Sequence, residues 1–577
     1  MNELIQQVYG DALDVNKLLR RIGQMKKKRE TFLGKWQRIK DIVAPNTSEY
    51  NGIRKFSKGS DTYKIGNHCS AISGMISKTV SDLTSQIMDP LVDWLGLSIR
   101  KAPTILTDGM VVSFSEDQSV QRWLFECTEV CYDLFADPKT NFYASNFAFM
   151  YDWFTIGTAT KHITVRNDTG EIVFNPISMN DICIDIGAYG DISYIARQYN
   201  LTPEQAFSLW GEAIGLEQLQ IMQQSQGSDR KFEYVELCMP TPPEIIAQNP
   251  FAVAPYLSVV INKQMKTIIS IVPELSFPYV VARFDVSPGD IYGKSLVWQA
   301  MPDILVENRT SKKIIQGIDY AATPALLASD ALGINVGQLT PGGIVNGLNA
   351  DGKPTIMPLQ MGMDIGAAMQ FYTQKFAELT DQLLANDIIP QDSNGALSPT
   401  EVIRREIQRN NRIRPLLVRL EADDLRFTIK RTMQLLQQQG ALPQFPYDSL
   451  GLSPEQLPNP LEMIKISFSG QMAKMRKMQD VQSINNLVSM AFNFAQADPS
   501  ALQIIKLPEA VKEMADVFNV PKTILKSDEE LMAEAVAQQE QMAQEQEAAT
   551  EQQDMQKQIL EGELAKQGLD EMPEDML

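Results

Sequence analysis

The 577-residue chain has two histidines, His68 and His162, and five cysteines. With so little imidazole, His-based acid–base catalysis or a His-rich metal site has almost nothing to be built from. Neither His-Glu-x-x-His nor Gly-x-Ser-x-Gly occurs. Cys69, Cys127, Cys131, Cys183 and Cys238 form no framework of the kind that staples small secreted domains. Cys127 and Cys131 sit four apart on a predicted helix, but no second pair completes a four-ligand set, so buried structural thiols are expected. No apolar run approaches the roughly 20 residues that span a bilayer, and residues 1–28 lack the apolar centre of a secretory leader. A chain of cytosolic type, without a membrane partner, is expected. Excess positive charge is missing too: the net charge is −19. A protein that grips nucleic acid over a broad basic surface is not expected to look like this.

What is present is an ordinary globular composition, 44% hydrophobic and 21% charged, in a chain long enough for several domains. Its organising stretch runs from Phe277 to Gly440. An extended run, 277–286, leads through Ser287-Pro-Gly-Asp-Ile-Tyr-Gly-Lys-Ser295 into a helical pattern over 295–322, in which Pro302 should form a kink or mark the start of the regular part. Thr323-Pro324 ends it. From Pro324 to Leu359 glycines and prolines separate short apolar pieces, Gly343–Val345 and Thr355–Met357 among them, which reads as small strands and turns. A second helix follows over 364–384, with Ile365, Met369, Tyr372, Phe376, Leu379 and Leu383 on one stripe. After a polar loop, Ser398-Pro-Thr-Glu401 makes a complete capping-box start to a long helix ending at Gly440, in which Pro415 should give a kink or break.

The rest follows in chain order. Helices are expected over 14–43, 69–88, 118–136 and 142–154. The Lys26-Lys-Lys-Arg29 run on the first of these is a solvated helix face or, alternatively, a phosphate contact. Strands are expected over 93–99, 160–165, 171–175, 181–185, 191–199, 232–239, 256–261, 267–272 and 461–469, with a short helix capped at Thr202. Residues 34–278 thus read as an α+β domain with an antiparallel sheet. Helices return after Met472, and from about Gln538 the chain is Gln/Glu-rich and of low complexity.

The most tempting chemical motif is Gly289-Asp-Ile-Tyr-Gly-Lys-Ser295. A phosphate-binding loop needs Gly-x-x-x-x-Gly-Lys-Ser/Thr so that its backbone N–H groups can wrap a phosphate. Here the first glycine would fall at Pro288, which has no N–H to give. A tight turn feeding a helix is the better reading. Asp423 and Asp424 are adjacent on a helix and point apart, and Glu401 with Arg405 reads as a surface ion pair. No catalytic residue and no cofactor are expected.

The order of these elements, with the strings FDVSPGDIYGKS (284–295), LSPTEVIRRE (397–406), RPLLVRLEADDL (414–425) and ISFSGQMAKMRKMQD (466–480), resembles the portal proteins, the head-to-tail connectors of short-tailed, podovirus-type bacteriophages. The resemblance runs from Arg29 to about Lys526. It implies a mainly α member of the α+β class with wing, stem, clip and crown, assembling as a ring of typically about twelve subunits. Under it, 1–294 hold the N-terminal region and wing, 295–322 and 364–385 the stem helices, and 323–363 the clip. Residues 386–398 form the channel loop, 399–470 the long wing helix and a returning wing strand, 471–537 the crown and 538–577 a tail.

The implied function is structural, not enzymatic. The ring sits at one capsid vertex of the virion, having been made in the host cytoplasm. Double-stranded DNA is packaged and ejected through it without sequence specificity. Terminase and then a tail adaptor dock on it, among major capsid and scaffolding proteins. Candidate channel residues are Lys312, Lys313 and Lys375 on the stem and Asp387, Asp392, Ser393 and Asn394 in the loop. Candidate clip contacts are Asn335, Gln338, Asn346, Asn349, Asp351 and Lys353. A mixture of charge signs, in an acidic chain, would let DNA slide without a deep electrostatic well. The competing classes are another virion structural or scaffolding protein, and a nucleotide-driven motor using the degenerate 289–295 turn.

Overall fold

The computed structural model describes residues 13–43, 69–100, 117–223, 230–248, 254–322, 326–328, 356–358, 364–385, 412–468 and 487–491, with scattered positions between 104 and 114. The chain divides into two units, 1–472 and 473–577. In the second, the described residues are one helical stretch, 487–491.

The first unit opens with α1 (Val15–Val43) and α2 (Ala71–Ile87), followed by β1 (Leu95–Ile99) and the short pair β2 (Thr104–Ile105) and β3 (Val111–Val112). Next come α3 (Gln118–Ala136), α4 (Phe142–Ile156), β4 (Thr158–Val165), β5 (Ile172–Ile177), β6 (Ile182–Ile186) and β7 (Ile192–Leu201). After α5 (Pro203–Trp210) and α6 (Leu216–Gln223) run β8 (Phe232–Pro240), α7 (Pro243–Gln248), β9 (Tyr256–Asn262), β10 (Thr267–Glu274) and β11 (Tyr279–Arg283). Then α8 (Leu296–Ala322), β12 (Leu326–Ala328), β13 (Ile356–Pro358) and α9 (Ile365–Gln382) follow. Helical residues 412–420 pass through one π turn, Glu421–Leu425, into Arg426–Gln438, and these three segments together are α10. The short α11 (Tyr447–Leu450) and β14 (Ile464–Phe468) complete the unit.

Local sequence accounts for these boundaries. Asp117 caps α3 by accepting from the Ser119 and Val120 amides. Thr202 and Gln205 form a reciprocal capping box on α5. Gly157, at φ +87°, ends α4 in the left-handed conformation that costs glycine least. Pro302 lies inside α8, which begins at Leu296. Pro415 lies in the first described turn of α10, within residues 412–420 that are helical, and the residues before 412 lie outside the described ones. The departure of α10 from α geometry comes at the π turn, where Leu420 and Leu425 are both fully buried. In a straight α-helix, residues five apart would point about 140° from each other.

Among the described residues every pair of strands is antiparallel. β6 to β10 form a five-stranded meander in the order β10-β9-β8-β7-β6, β11-β4-β5 form a second sheet, and β12 pairs with β13. β1 pairs with β14, Leu95 opposite Phe468, so the chain returns to its N-terminal half. α1 runs past three apolar clusters. Leu18, Ile22 and Met25 pack with Val235, Leu237 and Val259, while Trp36 joins Tyr279 and Tyr292. Ile39 and Val43 reach the largest cluster, which also takes in α2, α3, α4, the start of α8 and α10.

Between the two larger sheets lies a buried polar seam. Glu236 accepts from Tyr199 Oη at 2.5 Å, Ser258 Oγ at 2.5 Å and Tyr279 Oη at 2.8 Å. Burial opposes its charge, yet the field of His162 and these three hydroxyls hold its carboxyl below the ordinary value. His162 stacks on Tyr279, with centroids 4.4 Å apart, and burial pushes its imidazole down to about 4. It is neutral at neutral pH.

Candidate functional site

The stretch that the sequence marks as its organiser is rooted at the glycine-containing turn before α8. Gly157 and Gly293 meet backbone to backbone there. A Cβ on Gly157 would stand 2.6 Å from the Ser295 nitrogen and 2.7 Å from the Gly293 carbonyl oxygen. One on Gly293 would meet the Gly157 carbonyl oxygen and lie 2.9 Å from the Phe284 nitrogen. The Gly293 and Lys294 amides of this turn are already spent. Gly293 N–H donates to Thr158 Oγ1 at 2.9 Å, and Lys294 N–H to the Asp285 carbonyl at 2.7 Å. Ser295 Oγ donates to the Thr155 carbonyl at 2.6 Å and accepts from Trp298 N–H at 2.9 Å, capping α8. Lys294 Nζ pairs with Asp290 at 2.8 Å, and Tyr292 is buried, its hydroxyl accepting from Ile184 N–H at 3.2 Å. A phosphate cradle needs free, convergent N–H groups. This turn instead fastens α8 to the α4–β4 junction.

From that root α8 and α9 form an antiparallel hairpin, since Asp303 near the start of α8 lies 3.3 Å from Gln382 near the end of α9. Ile304, Ile314, Leu379 and Leu383 are buried. The hairpin's base is tied to neighbouring elements: Arg412 pairs with Asp381 at 2.6 Å, and Thr79 Oγ1 donates to the Leu383 carbonyl at 3.2 Å. At 1.5 Å per residue α8 is about 40 Å long. Toward the far end of the hairpin its apolar residues lose their cover. Ile315 and Ile318 are each 48% exposed, Met369 53% and Phe371 46%.

Glu307 stands out. It faces into the hairpin at 1% exposure, and neither carboxylate oxygen has a hydrogen-bond partner. Burial pushes it up to about 7, with the Lys375 ammonium pulling the other way. Nearby, Tyr372 Oη and Cys69 Sγ are 3.4 Å apart.

The three lysines singled out from the sequence separate into two groups. Lys312 and Lys313 are exposed on α8, and Arg309, one turn earlier on the same side, joins them in a basic patch. Arg309 was legible at i, i+3 and i+4 from these lysines. Lys375 is half-buried within the hairpin, where it pairs with Glu378 at 2.7 Å and lies 4.0 Å from Asp303. Asp387, Asp392, Ser393 and Asn394 lie outside the described residues, as do Asn335, Gln338, Asn346, Asn349, Asp351 and Lys353, and also Glu401 and Arg405.

The Lys26–Arg29 run is neither a free phosphate contact nor a simple solvated face. Lys26 donates to Gln198 at 2.7 Å, Lys28 pairs with Asp185 at 2.8 Å, and Arg29 donates to the Ile182 carbonyl at 3.1 Å. These side chains hold α1 to the sheet. All five cysteines are buried thiols outside any disulfide, and burial pushes the Cys127 and Cys131 thiols up to about 12, so both stay protonated and unreactive. Among the described residues no group of three or more His, Cys, Asp or Glu side chains gathers for a metal, and no helix is long and apolar enough to cross a membrane.

A small strand pair, β12–β13, lies in the chain between α8 and α9. Residues 15–525 match the family model described as bacteriophage head to tail connecting protein. The chain belongs to that family. It is similar to the portal protein of Salmonella phage epsilon15, at 22% identity over 531 residues covering 89% of each chain. It is also similar to the probable portal protein of Bordetella phage BPP-1, at 18% identity over 517 residues covering 88% of each.

Proposed function

We propose that copies of this chain close into a ring at one capsid vertex of the virion, with the α8–α9 hairpins surrounding a channel through which double-stranded DNA is packaged and ejected. The observation that carries this reading is the hairpin itself. It leaves a well-packed root with an apolar seam on α8, Ile315 and Ile318, and with Met369 and Phe371 on different sides of α9, all about half exposed in a single copy. Repeating neighbours in a closed ring would cover them. On α8, Arg309, Lys312 and Lys313 offer a narrow basic patch in an otherwise acidic chain. A few cations meet the phosphates of a passing duplex without binding it deeply, because each contact adds only one salt-sensitive increment.

In this reading 1–294 and 399–470 make the wing, 295–322 and 364–385 the stem, and 386–398 the channel loop with Asp387, Asp392, Ser393 and Asn394. Residues 323–363, including Asn335, Gln338, Asn346, Asn349, Asp351 and Lys353, receive terminase and then the tail adaptor. The crown is 471–537 and the tail 538–577. Major capsid and scaffolding proteins surround the ring. The test pairs Ile315→Asp with Ile318→Asp. The reading predicts that the double variant keeps the far-ultraviolet circular dichroism of the parent while its native mass falls from ring to smaller species. Rings at parental yield would overturn the assigned seam.

A further inference from the structure

The long helix α10 carries an internal charge that the portal reading does not use. Asp424, in the π turn, and Lys161, on the central strand of the three-stranded sheet, are both completely buried. Their Nζ and Oδ1 atoms are 2.5 Å apart. Asn146 Oδ1 accepts from the same ammonium at 2.5 Å, Thr428 Oγ1 donates to Asp424 Oδ1 at 2.8 Å, and the Phe149 ring lies 4.8 Å from Lys161 Nζ. Asp424 Oδ2 and Asn146 Nδ2 have no hydrogen-bond partner. Ion pairs withdrawn from water this completely contribute little net stability, because desolvation offsets their attraction. Some are retained because they specify one arrangement over another.

The arrangement to be specified is at hand. A π turn places one extra residue in an α-helix, and such turns are uncommon without a cause. Relaxing this one to α geometry would rotate the two halves of α10 relative to each other by about 100°. The N-terminal half is tied to α9 by Arg412–Asp381 at 2.6 Å. The C-terminal half is tied to the end of β10 by Arg431, which pairs with Glu274 at 2.8 Å and donates to Ser276 Oγ at 3.0 Å. In the observed register both ties are made at once. Within the π turn itself Asp423, part-buried, lies 3.9 Å from Arg419 and accepts from the Arg283 backbone, while Asp424 faces Lys161.

We propose that the Lys161–Asp424 pair is a register pin that holds α10 in its π form and so fixes the root of the α8–α9 hairpin relative to the sheets. It acts as a positioning device and touches no ligand. It stands on contacts within one chain and does not depend on the ring or on DNA.

The test is a double-mutant cycle on the full chain with Lys161→Met and Asp424→Leu, read by thermal midpoint and by the structure of the double variant. The expected result is that each single variant, left with one unpaired buried charge, melts at lower temperature than the double. The double variant folds, but its α10 is continuous α-helix, with either the Arg412–Asp381 or the Arg431–Glu274 tie lost. Should a single variant fail to fold, Asp424→Asn, which preserves size and the Thr428 contact, takes its place in the cycle. Additive losses in the cycle, or a π turn retained in the double variant, would overturn the proposal.

Discussion

Replacing Gly157 by alanine tests whether the turn before α8 is a mechanical fastening. The new Cβ would sit 2.6 Å from the Ser295 nitrogen and 2.7 Å from both the Gly293 carbonyl oxygen and the Lys294 carbonyl carbon. All three are backbone atoms, so no side-chain rotation relieves the contact. Residue 157 is also at φ +87°, where a residue with a Cβ costs roughly 1–2 kcal/mol more than glycine. Separating the two segments would break the Phe284 N–H to Gly157 carbonyl bond at 2.8 Å and the Gly293 to Thr158 bond at 2.9 Å. Each buried group left unpaired costs about 1–3 kcal/mol. A local loss of at least about 3 kcal/mol is expected. In a chain of this size the loss need not appear as one cooperative transition. Hydrogen exchange by mass spectrometry is therefore the assay, on peptides covering 153–160 and 283–298. Both segments should lose protection together in Gly157→Ala. Lys294→Ala, which removes only an exposed pair with Asp290 worth about 1 kcal/mol or less, should leave them protected. It should also leave nucleotide binding unchanged. Parental protection in Gly157→Ala would refute the fastening, and ATP hydrolysis lost on Lys294→Ala would reinstate the phosphate loop.

Further predictions concern the hairpin. Glu307 is held at about 7 in the folded chain against an ordinary 4.5, so the folded state keeps a proton that the unfolded state has released. The hairpin should therefore lose stability as pH rises from 4.5 to 7, by about 3 kcal/mol at most, and change little above that. Glu307→Gln should flatten this dependence and slow exchange in α8 and α9 at pH 8; an unchanged profile would show the carboxylate to be solvated. Lys312→Ala with Lys313→Ala should leave folding and ring mass as they are, since both side chains are exposed. In assembled rings it should weaken DNA association alike for all sequences and make it less salt-dependent, checked by binding at several salt concentrations. Deleting 392–395 should leave rings intact and impair DNA packaging or retention, and heads that fill and stay full would exclude a loop role.

Much of the fold was legible because burial leaves a periodic trace. α3 occupies the residues its apolar stripe marks, α5 begins at the capping box, and the nine strands expected from alternation and apolar runs all form. What periodicity reports is which face is buried, not what covers it. The pairing of β1 with β14 joins Leu95 to Phe468, and nothing local in either strand names the other. The basic run on α1 reads as solvated until its partners Gln198 and Asp185 come from distant strands. In α10 the sequence marks Pro415 plainly but not the π turn, whose trace is only that Leu420 and Leu425, five apart, are both buried. The 289–295 turn resembled a phosphate loop because both need glycine for close backbone approach. The difference lies in what approaches, here the chain's own Gly157. Of the candidate site, charge spacing disclosed Lys312 and Lys313, but the internal pairing of Lys375 depends on how α9 is rotated against α8.

Native mass spectrometry of the purified chain, combined with negative-stain images, tests the central claim most directly. A ring of about a dozen copies around an open centre is the expected result, reached by the chain alone or on addition of its scaffolding protein. A closed particle without a channel, or a chain that stays monomeric with scaffold present, would contradict it.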